Sequence, residues 1–364
     1  MASSAGSTDV VKAGYWFVGY DNIRPVAEIP SQRFTHLYAG FAVVNIDTGE
    51  VTFPPEYEQE FKTFPDTVRQ RNPTVKALLS IGGPGSPDIS LVVRDDARRT
   101  KFIETSKNLA MDQSGYNGLD LCWLYPSPLD NVSDLMDFLK QWRGAVSQDD
   151  KKENKDDKFL LTAAVFYHPA IPSSGGRFFN YPNISVFLDW INVLAIDFCT
   201  SSNLSWETGP VHAWSNSKEK SRYGPCGSDG IRHWINSGVA TNKLVLGLPF
   251  HGYEWILNDP MDYGFFAPAH KKDESPEPYS TIHAKILNNN FDTKYDGEYV
   301  ATYSHKDRIW IGYDDITSIR EKVTEAIEMD LGGYFAWHVG EDDRTWTLSV
   351  EAFFAGKRPI ARPS

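Results

Sequence analysis

The sequence lacks the features with which a chain binds nucleic acid or spans a membrane. It has no basic run that could follow a phosphate backbone, and 36 Lys and Arg against 48 Asp and Glu give a net charge of −12. No stretch approaches the roughly 20 apolar residues of a membrane-spanning helix. A secretory signal has a basic region followed by an apolar core, and the segment from Met1 to Val11 has neither. We expect no nucleic acid and no membrane as partners.

Cysteine is also scarce. Cys122, Cys199 and Cys226 show no CxxC spacing, and the sequence has no histidine cluster spaced like a zinc site. We therefore expect no metal and no cofactor. Cys199 and Cys226 could pair in an oxidising compartment, or all three could be buried free thiols.

Three glycosylation sequons, at Asn131, Asn183 and Asn203, favour a secretory history although no signal peptide is visible. The expected location is extracellular or vacuolar if a signal peptide has been removed, and cytoplasmic if Met1 is the natural start. The oligomeric state cannot be predicted from these features.

Aromatic residues are abundant. The 364 residues include 11 Trp, 17 Tyr and 21 Phe, more than a core of this size needs, and this excess predicts a cleft or surface that stacks on a ligand. The composition excludes a disordered chain, collagen and a coiled coil. The length fits either two domains or one large α/β barrel.

Eight short runs rich in β-branched and aromatic residues alternate with segments of helical periodicity, such as Tyr57, Phe61, Phe64 and Val68. The runs are Val10 to Trp16, Thr35 to Val44, Thr74 to Ile81, Gly118 to Tyr125, Phe159 to Tyr167, Trp190 to Phe198, Leu244 to Phe250 and Gly332 to His338. Strands separated by helices form parallel sheets, and eight such units close into a (β/α)8 TIM barrel. The fold class is therefore α/β, and functional groups are expected at the carboxyl ends of the strands.

One segment interrupts this alternation. Between the seventh and eighth runs, the chain becomes rich in Pro, Asp, Asn and Tyr and contains strand-like stretches. We predict a small α+β insertion over residues 255–315 that walls one side of a cleft. Residues 12–254 and 316–356 then form the barrel, and 1–11 and 357–364 are terminal tails.

The fourth run, from Asn117 to Pro126, reads NGLDLCWLYP. It resembles a strand of glycoside hydrolase family 18, and specifically of the plant class V chitinases, whose pattern is DG(I/L)D(I/L)DWEYP. Ser80 to Gly83 (SIGG), Lys243 to Phe250 (KLVLGLPF) and Gly332 to Val339 (GGYFAWHV) are similar to other strands of that group. The resemblance covers roughly residues 12–354 and implies the same barrel.

Side chains alternate across a strand, so Asp120, Cys122 and Leu124 should point into the barrel, while Leu119, Leu121 and Trp123 should face the helices. The resemblance implies roles for the inward positions. In the family the final Glu protonates the glycosidic oxygen, and the Asp two residues earlier orients the substrate acetamide that attacks the anomeric carbon.

Most of this machinery is replaced. Leu124 stands at the position of the Glu, Cys122 at that of the orienting Asp and Asn117 at that of the first Asp, whereas Asp120 is retained. Leucine has no proton to donate, and general acid catalysis contributes about 10²- to 10⁴-fold. Asp120 cannot replace the Glu because it lies about 13 Å deeper along the strand. We predict that hydrolysis by the family mechanism is lost.

The sixth run also has an apolar residue where the resembled family has a polar one. The family tyrosine that holds the N-acetyl group is replaced by Ile196, although the following Asp197 is kept. The centre of the cleft should therefore be more apolar than in a chitinase. His251 similarly replaces a tyrosine in the seventh-run motif.

Other positions favour ligand binding. Trp337 corresponds to the tryptophan beneath the central sugar, and a sugar's C–H face packs well on an indole. The remaining candidate ligand-binding residues are Asp197, Tyr125, Tyr167, Tyr253 and Trp255.

Three functions fit these features. The favoured one is a lectin-like protein of the chitinase-related agglutinin type, which binds chitin or another N-acetylglucosamine-containing glycan without cutting it. The second is an enzyme repurposed for a small molecule. Its candidate acid, base or nucleophile groups are Asp120, Asp197, His251, Glu254 and Cys122. The third is a storage or inhibitor protein.

Overall fold

A computed structural model describes most of the chain. The described residues are 10–19, 24–112, 114–124, 133–152, 158–172, 178–180, 184–200, 203–216, 225–272 and 275–357. The candidate Tyr125 and the sequons at Asn131 and Asn183 lie outside them, whereas Asn203 lies within.

Eight parallel strands form a closed barrel. In chain order they are Val11–Phe17, His36–Val44, Lys76–Gly82, Gly118–Cys122, Leu160–Phe166, Trp190–Leu194, Leu244–Pro249 and Gly333–Trp337. Each pairs with its neighbours in this order, and the first strand pairs with both the second and the eighth, which closes the ring. The predicted (β/α)8 barrel is confirmed, with each strand inside one of the eight predicted runs or within a residue of it.

Helices pack around the outside of the barrel. The main ones are Glu58–Arg69, Asp96–Lys107, Ser133–Lys152, Gly227–Asn236, Ile316–Glu328 and Thr347–Ala355, with a short helix at Ser90–Arg94. Phe61, Phe64 and Val68 form the buried face of the first helix, as their spacing predicts. None of the helices among the described residues is both long and apolar enough to cross a bilayer.

The barrel has two hydrophobic layers. Leu119, Leu121 and Trp123 belong to the core between strands and helices, whereas Cys122 and Leu124 belong to the core inside the barrel. This arrangement confirms the alternation predicted for the fourth strand. The interior layer is largely aromatic, with Tyr15, Phe17, Tyr38, Phe335 and Trp337 in contact.

The insertion is an antiparallel sheet with one helix. Its strands are His251–Leu257, Ala269–Lys271, Glu277–Pro278, Asp292–Asp296, Ala301–Lys306 and Ile309–Tyr313, and its helix is Tyr279–Asn289. The sheet begins at His251 rather than at residue 255, because the chain passes into it directly after the seventh barrel strand ends at Pro249. Trp255, Tyr303 and Trp310 form its own small core.

Candidate active site

A cavity of about 560 Å³ opens at the carboxyl ends of the barrel strands. It is lined by Phe17, Pro84, Leu124, Phe166, Leu194, Ile196, Asp197, Thr200, Asn203, His251, Tyr253, Pro276, Trp337, His338 and Glu341. A larger hollow of about 840 Å³ lies at the opposite end, beside Lys12, Thr35 and Lys76. Because TIM barrels carry their chemistry at the carboxyl end of the strands, the smaller cavity is the candidate site.

One wall of the cavity is apolar. Leu124 after the fourth strand faces Leu194 and Ile196 of the sixth strand region and Phe166 of the fifth. The structure thus brings together Leu124 and Ile196, the two residues that replace polar groups of the resembled family. This side of the cavity is therefore apolar, as the sequence predicts.

Trp337 lines the cavity at the end of the eighth strand, but the protein itself covers most of the indole. Only 7% of the residue is exposed, and its ring lies 5.0 Å from that of Tyr15 and 4.9 Å from that of Phe17. A ligand can therefore reach only a small part of the ring.

Asp120 does not reach the cavity. It is fully buried in the barrel and accepts hydrogen bonds from the hydroxyls of Tyr15 (2.9 Å), Ser80 (2.7 Å) and Thr162 (2.7 Å). Burial raises the pKa of its carboxyl. Three donors enclose Asp120 and it is not part of the cavity lining, so the structure places it as a structural anchor and not among groups that face the cavity.

Cys122 is also enclosed. The residue is fully buried, and burial raises the pKa of its thiol well above the ordinary value, so it cannot supply a thiolate nucleophile. Asn117 lies at the other end of the strand, where its side-chain oxygen accepts hydrogen bonds from the Ala77 amide (3.0 Å) and the Arg69 guanidinium (2.6 Å). Neither residue contacts the cavity.

The opposite wall is charged. His251 Nε2 lies 2.8 Å from Asp197 Oδ1, and His251 Nδ1 lies 3.9 Å from Glu341 Oε2. Burial lowers the pKa of His251, but the two carboxylates outweigh this effect and raise it to about 9. Burial opposes ionisation of Asp197, but His251 holds the pKa of this carboxyl below its usual range. Burial raises the pKa of Glu341 to about 7.

His212 packs directly behind this wall, and no sequence pattern predicts its place there. The residue is 1% exposed, its Nδ1 accepts a hydrogen bond from the Asp197 backbone amide (3.2 Å), and its Nε2 lies 3.1 Å from the carbonyl oxygen of His251. A carbonyl only accepts, so Nε2 carries the proton and Nδ1 keeps a lone pair. Burial lowers the pKa of His212 well below 6.5, so the ring is neutral.

Asp197, His212 and His251 thus bring three possible metal-ligating atoms within 4.8 Å of one another. Their separations of 15, 39 and 54 residues explain why the sequence shows no metal motif. The sequence-based expectation of no metal stays a prediction. Glu341 was missed as well, although its position four residues after Trp337 places it at the same strand end.

Two predicted site residues lie elsewhere. Trp255 is fully buried in the insertion, where its indole N–H donates to the Leu204 carbonyl (2.9 Å) and its ring packs on Trp310. Glu254 forms ion pairs with Lys285 and Lys272. Both predictions are wrong because the strand from His251 leaves the barrel mouth, so that only His251 and Tyr253 reach the cavity.

Tyr167 does not line the cavity either. It packs on Phe166 and Phe198 at ring distances of 4.3 Å and 5.1 Å. Cys199 and Cys226 are both buried free thiols, so the structure follows the second of the two alternatives for these residues.

The comparisons with known proteins agree with the fold. The model for the glycosyl hydrolases family 18 matches residues 11–342, and the chain belongs to this family. Among curated relatives, a class V chitinase from Arabidopsis thaliana is 39% identical over 344 residues, which cover 92% of this chain and 87% of the relative.

Two solved structures place the chain more closely within the family. A mutant of the class V chitinase from Nicotiana tobaccum in complex with NAG4 is 34% identical with a TM-score of 0.88, covering 96% of this chain and 99% of that one. A chitinase-like agglutinin from Robinia pseudoacacia is 35% identical with a TM-score of 0.85, covering 95% and 99%. The chain is therefore a chitinase-like protein close to the plant class V group.

Proposed function

We propose that this protein binds N-acetylglucosamine-containing glycans in the barrel cavity and does not hydrolyse them. The observation that carries the proposal is Leu124, which lines the cavity where the resembled family has its proton donor. Asp120 and Cys122 on the same strand are enclosed and cannot take over this role. Without a donor, the glycosidic oxygen would have to leave as an alkoxide, which forgoes about 10²- to 10⁴-fold in rate.

Several groups support binding itself. Tyr253 and Trp337 each present the small exposed part of an aromatic ring to the C–H face of a sugar, and Thr200, Asn203 and Asp197 line the cavity with groups that can hydrogen-bond to hydroxyls. A cavity of 560 Å³ lies within the usual range for small-molecule sites. The related tobacco chitinase in complex with NAG4 and the Robinia agglutinin support a carbohydrate as the ligand.

The test combines binding with turnover. Chitin tetrasaccharide is titrated into the protein by calorimetry, and the same mixture is assayed for new reducing ends. We expect binding with no release of reducing ends. Hydrolysis by the unmodified protein, or no heat of binding at millimolar sugar, would contradict the proposal.

The variants used to test binding must leave the protein folded. Trp337→Ala would open a hole among Tyr15 and Phe17 and cost about 3–5 kcal/mol, so Trp337→Phe is the better probe. Trp206→Phe is the matched control, because Trp206 is 64% exposed and lies outside the cavity lining. The cavity proposal requires weaker binding in the first variant and unchanged binding in the second.

A second candidate function is an enzyme for a small, partly apolar molecule. The observation that favours it is the wall of Asp197, His251 and Glu341, whose pKa values are held far apart opposite apolar side chains, as in acid–base catalysts. A metabolite screen that compares the protein with Asp197→Ala tests this candidate. A product formed only by the unmodified protein would support it, and no product in either sample would count against it.

A further inference from the structure

Nitrogen and oxygen atoms of three side chains from separate segments meet at the charged wall of the cavity and directly behind it. Asp197 follows the sixth barrel strand, His212 lies in the long connection after it, and His251 begins the insertion sheet. Asp197 Oδ1 lies 2.8 Å from His251 Nε2 and 3.4 Å from His212 Nδ1. These separations resemble those between neighbouring ligands of one metal ion, whose bonds to nitrogen and oxygen are about 2.0–2.2 Å.

The other nitrogen of each imidazole is held by a second group. His212 Nε2 donates to the His251 carbonyl, so Nδ1 is unprotonated and its lone pair, which accepts the Asp197 amide at 3.2 Å, points toward Asp197. His251 Nδ1 faces the Glu341 carboxylate at 3.9 Å. Metal-binding histidines are oriented in this way, by a carbonyl or carboxylate that fixes the tautomer and ring position.

The cluster is buried on one side and open on the other. His212 and His251 are 1% and 4% exposed, whereas the Asp197 side chain is 33% exposed at the cavity. An ion on these three atoms would keep coordination positions free toward the cavity, as catalytic and substrate-binding metal sites do. Two imidazoles and one carboxylate suit Zn²⁺, Co²⁺, Ni²⁺ or Fe²⁺ rather than Mg²⁺ or Ca²⁺, which prefer oxygen.

We propose that Asp197, His212 and His251 form a binding site for one divalent transition-metal ion, with Zn²⁺ as its representative. The ion replaces the proton that His251 shares with Asp197, and this proton is released to solvent. It also displaces the 3.2 Å contact between the Asp197 amide and His212 Nδ1. Glu341 acts as a positioning residue through His251.

The test uses the full chain after treatment with EDTA and dialysis. Zn²⁺ is titrated by calorimetry and bound metal is counted by elemental analysis, while Co²⁺ supplies a visible absorption spectrum that reports nitrogen and oxygen ligands. We expect one equivalent of tightly bound metal. Asp197→Asn and His251→Gln should abolish the Co²⁺ bands, and Glu341→Gln should weaken binding about 10- to 100-fold.

His283→Gln is the matched control. His283 Nδ1 lies 2.8 Å from Asp343 Oδ2, so this pair repeats the His–Asp chemistry without being part of the three-residue cluster. The His283→Gln variant should bind Zn²⁺ as tightly as the unmodified chain does, and circular dichroism checks that all variants fold. Absence of Zn²⁺ binding at micromolar concentration, or equal binding in Asp197→Asn, His251→Gln and His283→Gln, would overturn the proposal. No sugar is present, so the result is independent of glycan binding.

Discussion

Hydrolysis should return when three cavity positions regain the groups that the family resemblance implies. The variant combines Leu124→Glu, Cys122→Asp and Ile196→Tyr, which supply a proton donor, a carboxylate that orients the acetamide and a hydroxyl that holds it. Leu124 and Ile196 line the cavity beyond the ends of the fourth and sixth strands, and Cys122 lies in the barrel core beneath it. We expect chitin tetrasaccharide to be cleaved by this variant and not by the unmodified protein.

The structure sets the cost of the new carboxyl at position 122. Positions 120 and 122 share one face of a strand, so their side chains lie about 6.6 Å apart. Two charges at this distance repel by about 2.5 kcal/mol at an effective dielectric constant of 20. Burial already raises the pKa of Asp120, and a second carboxyl beside it would raise this pKa further, so the variant should be less stable than the unmodified protein.

Reducing-end release and the free energy of unfolding in urea are measured for the triple variant and for the double variant that keeps Leu124. The triple variant should be faster by about 10²- to 10⁴-fold, the range of general acid catalysis. A folded triple variant that binds the sugar without cleaving it would refute the assignment of lost activity to these positions. Equal rates in both variants would refute the role of position 124.

Three further predictions concern stability and reactivity. Burial raises the pKa of Asp342 from 3.8 to about 6, so the folded state holds the proton more firmly than the unfolded state and stability falls as pH rises from about 4 to 6. The free energy of unfolding of Asp342→Asn in urea, relative to that of the unmodified protein, should therefore rise by about 3 kcal/mol between pH 4 and 7. A difference that does not change with pH would contradict this. Asp120→Ala should lose about 3–5 kcal/mol because it leaves three buried hydroxyls without their acceptor, whereas the exposed Asp66→Ala should change stability by less than about 0.5 kcal/mol. Cys122, Cys199 and Cys226 should resist a thiol reagent in the folded protein and react after denaturation; rapid labelling of the native chain would show that these thiols are accessible.

The barrel could be predicted from the sequence because its signals are local. Each strand is a short β-branched or aromatic run, and the period of two along the fourth strand correctly assigns Cys122 and Leu124 to the interior. The start of the insertion was misplaced because a strand that continues in a new sheet shows the same pattern as one that stays in the barrel. Trp255 and Glu254 were misassigned for this reason.

The polar wall could be predicted only in part. Asp197 and His251 were found through the resemblance, but His212 and Glu341 lie in connections without a periodic pattern, and only the closed barrel brings them together. Spacing along the chain does not report such contacts. The ligand-binding role of Trp337 stays a prediction, and the sequence does not show how closely Tyr15 and Phe17 cover its ring.

The hydrogen-bonded layer around Asp120 lies inside the barrel, beneath the cavity. Tyr15, Ser80 and Thr162 join strands one, three and five to this carboxylate, so the ring of strands is tied together below the cavity. None of these four residues lines the cavity. Substitutions in the cavity lining should therefore leave the hydrogen bonds that join these strands in place.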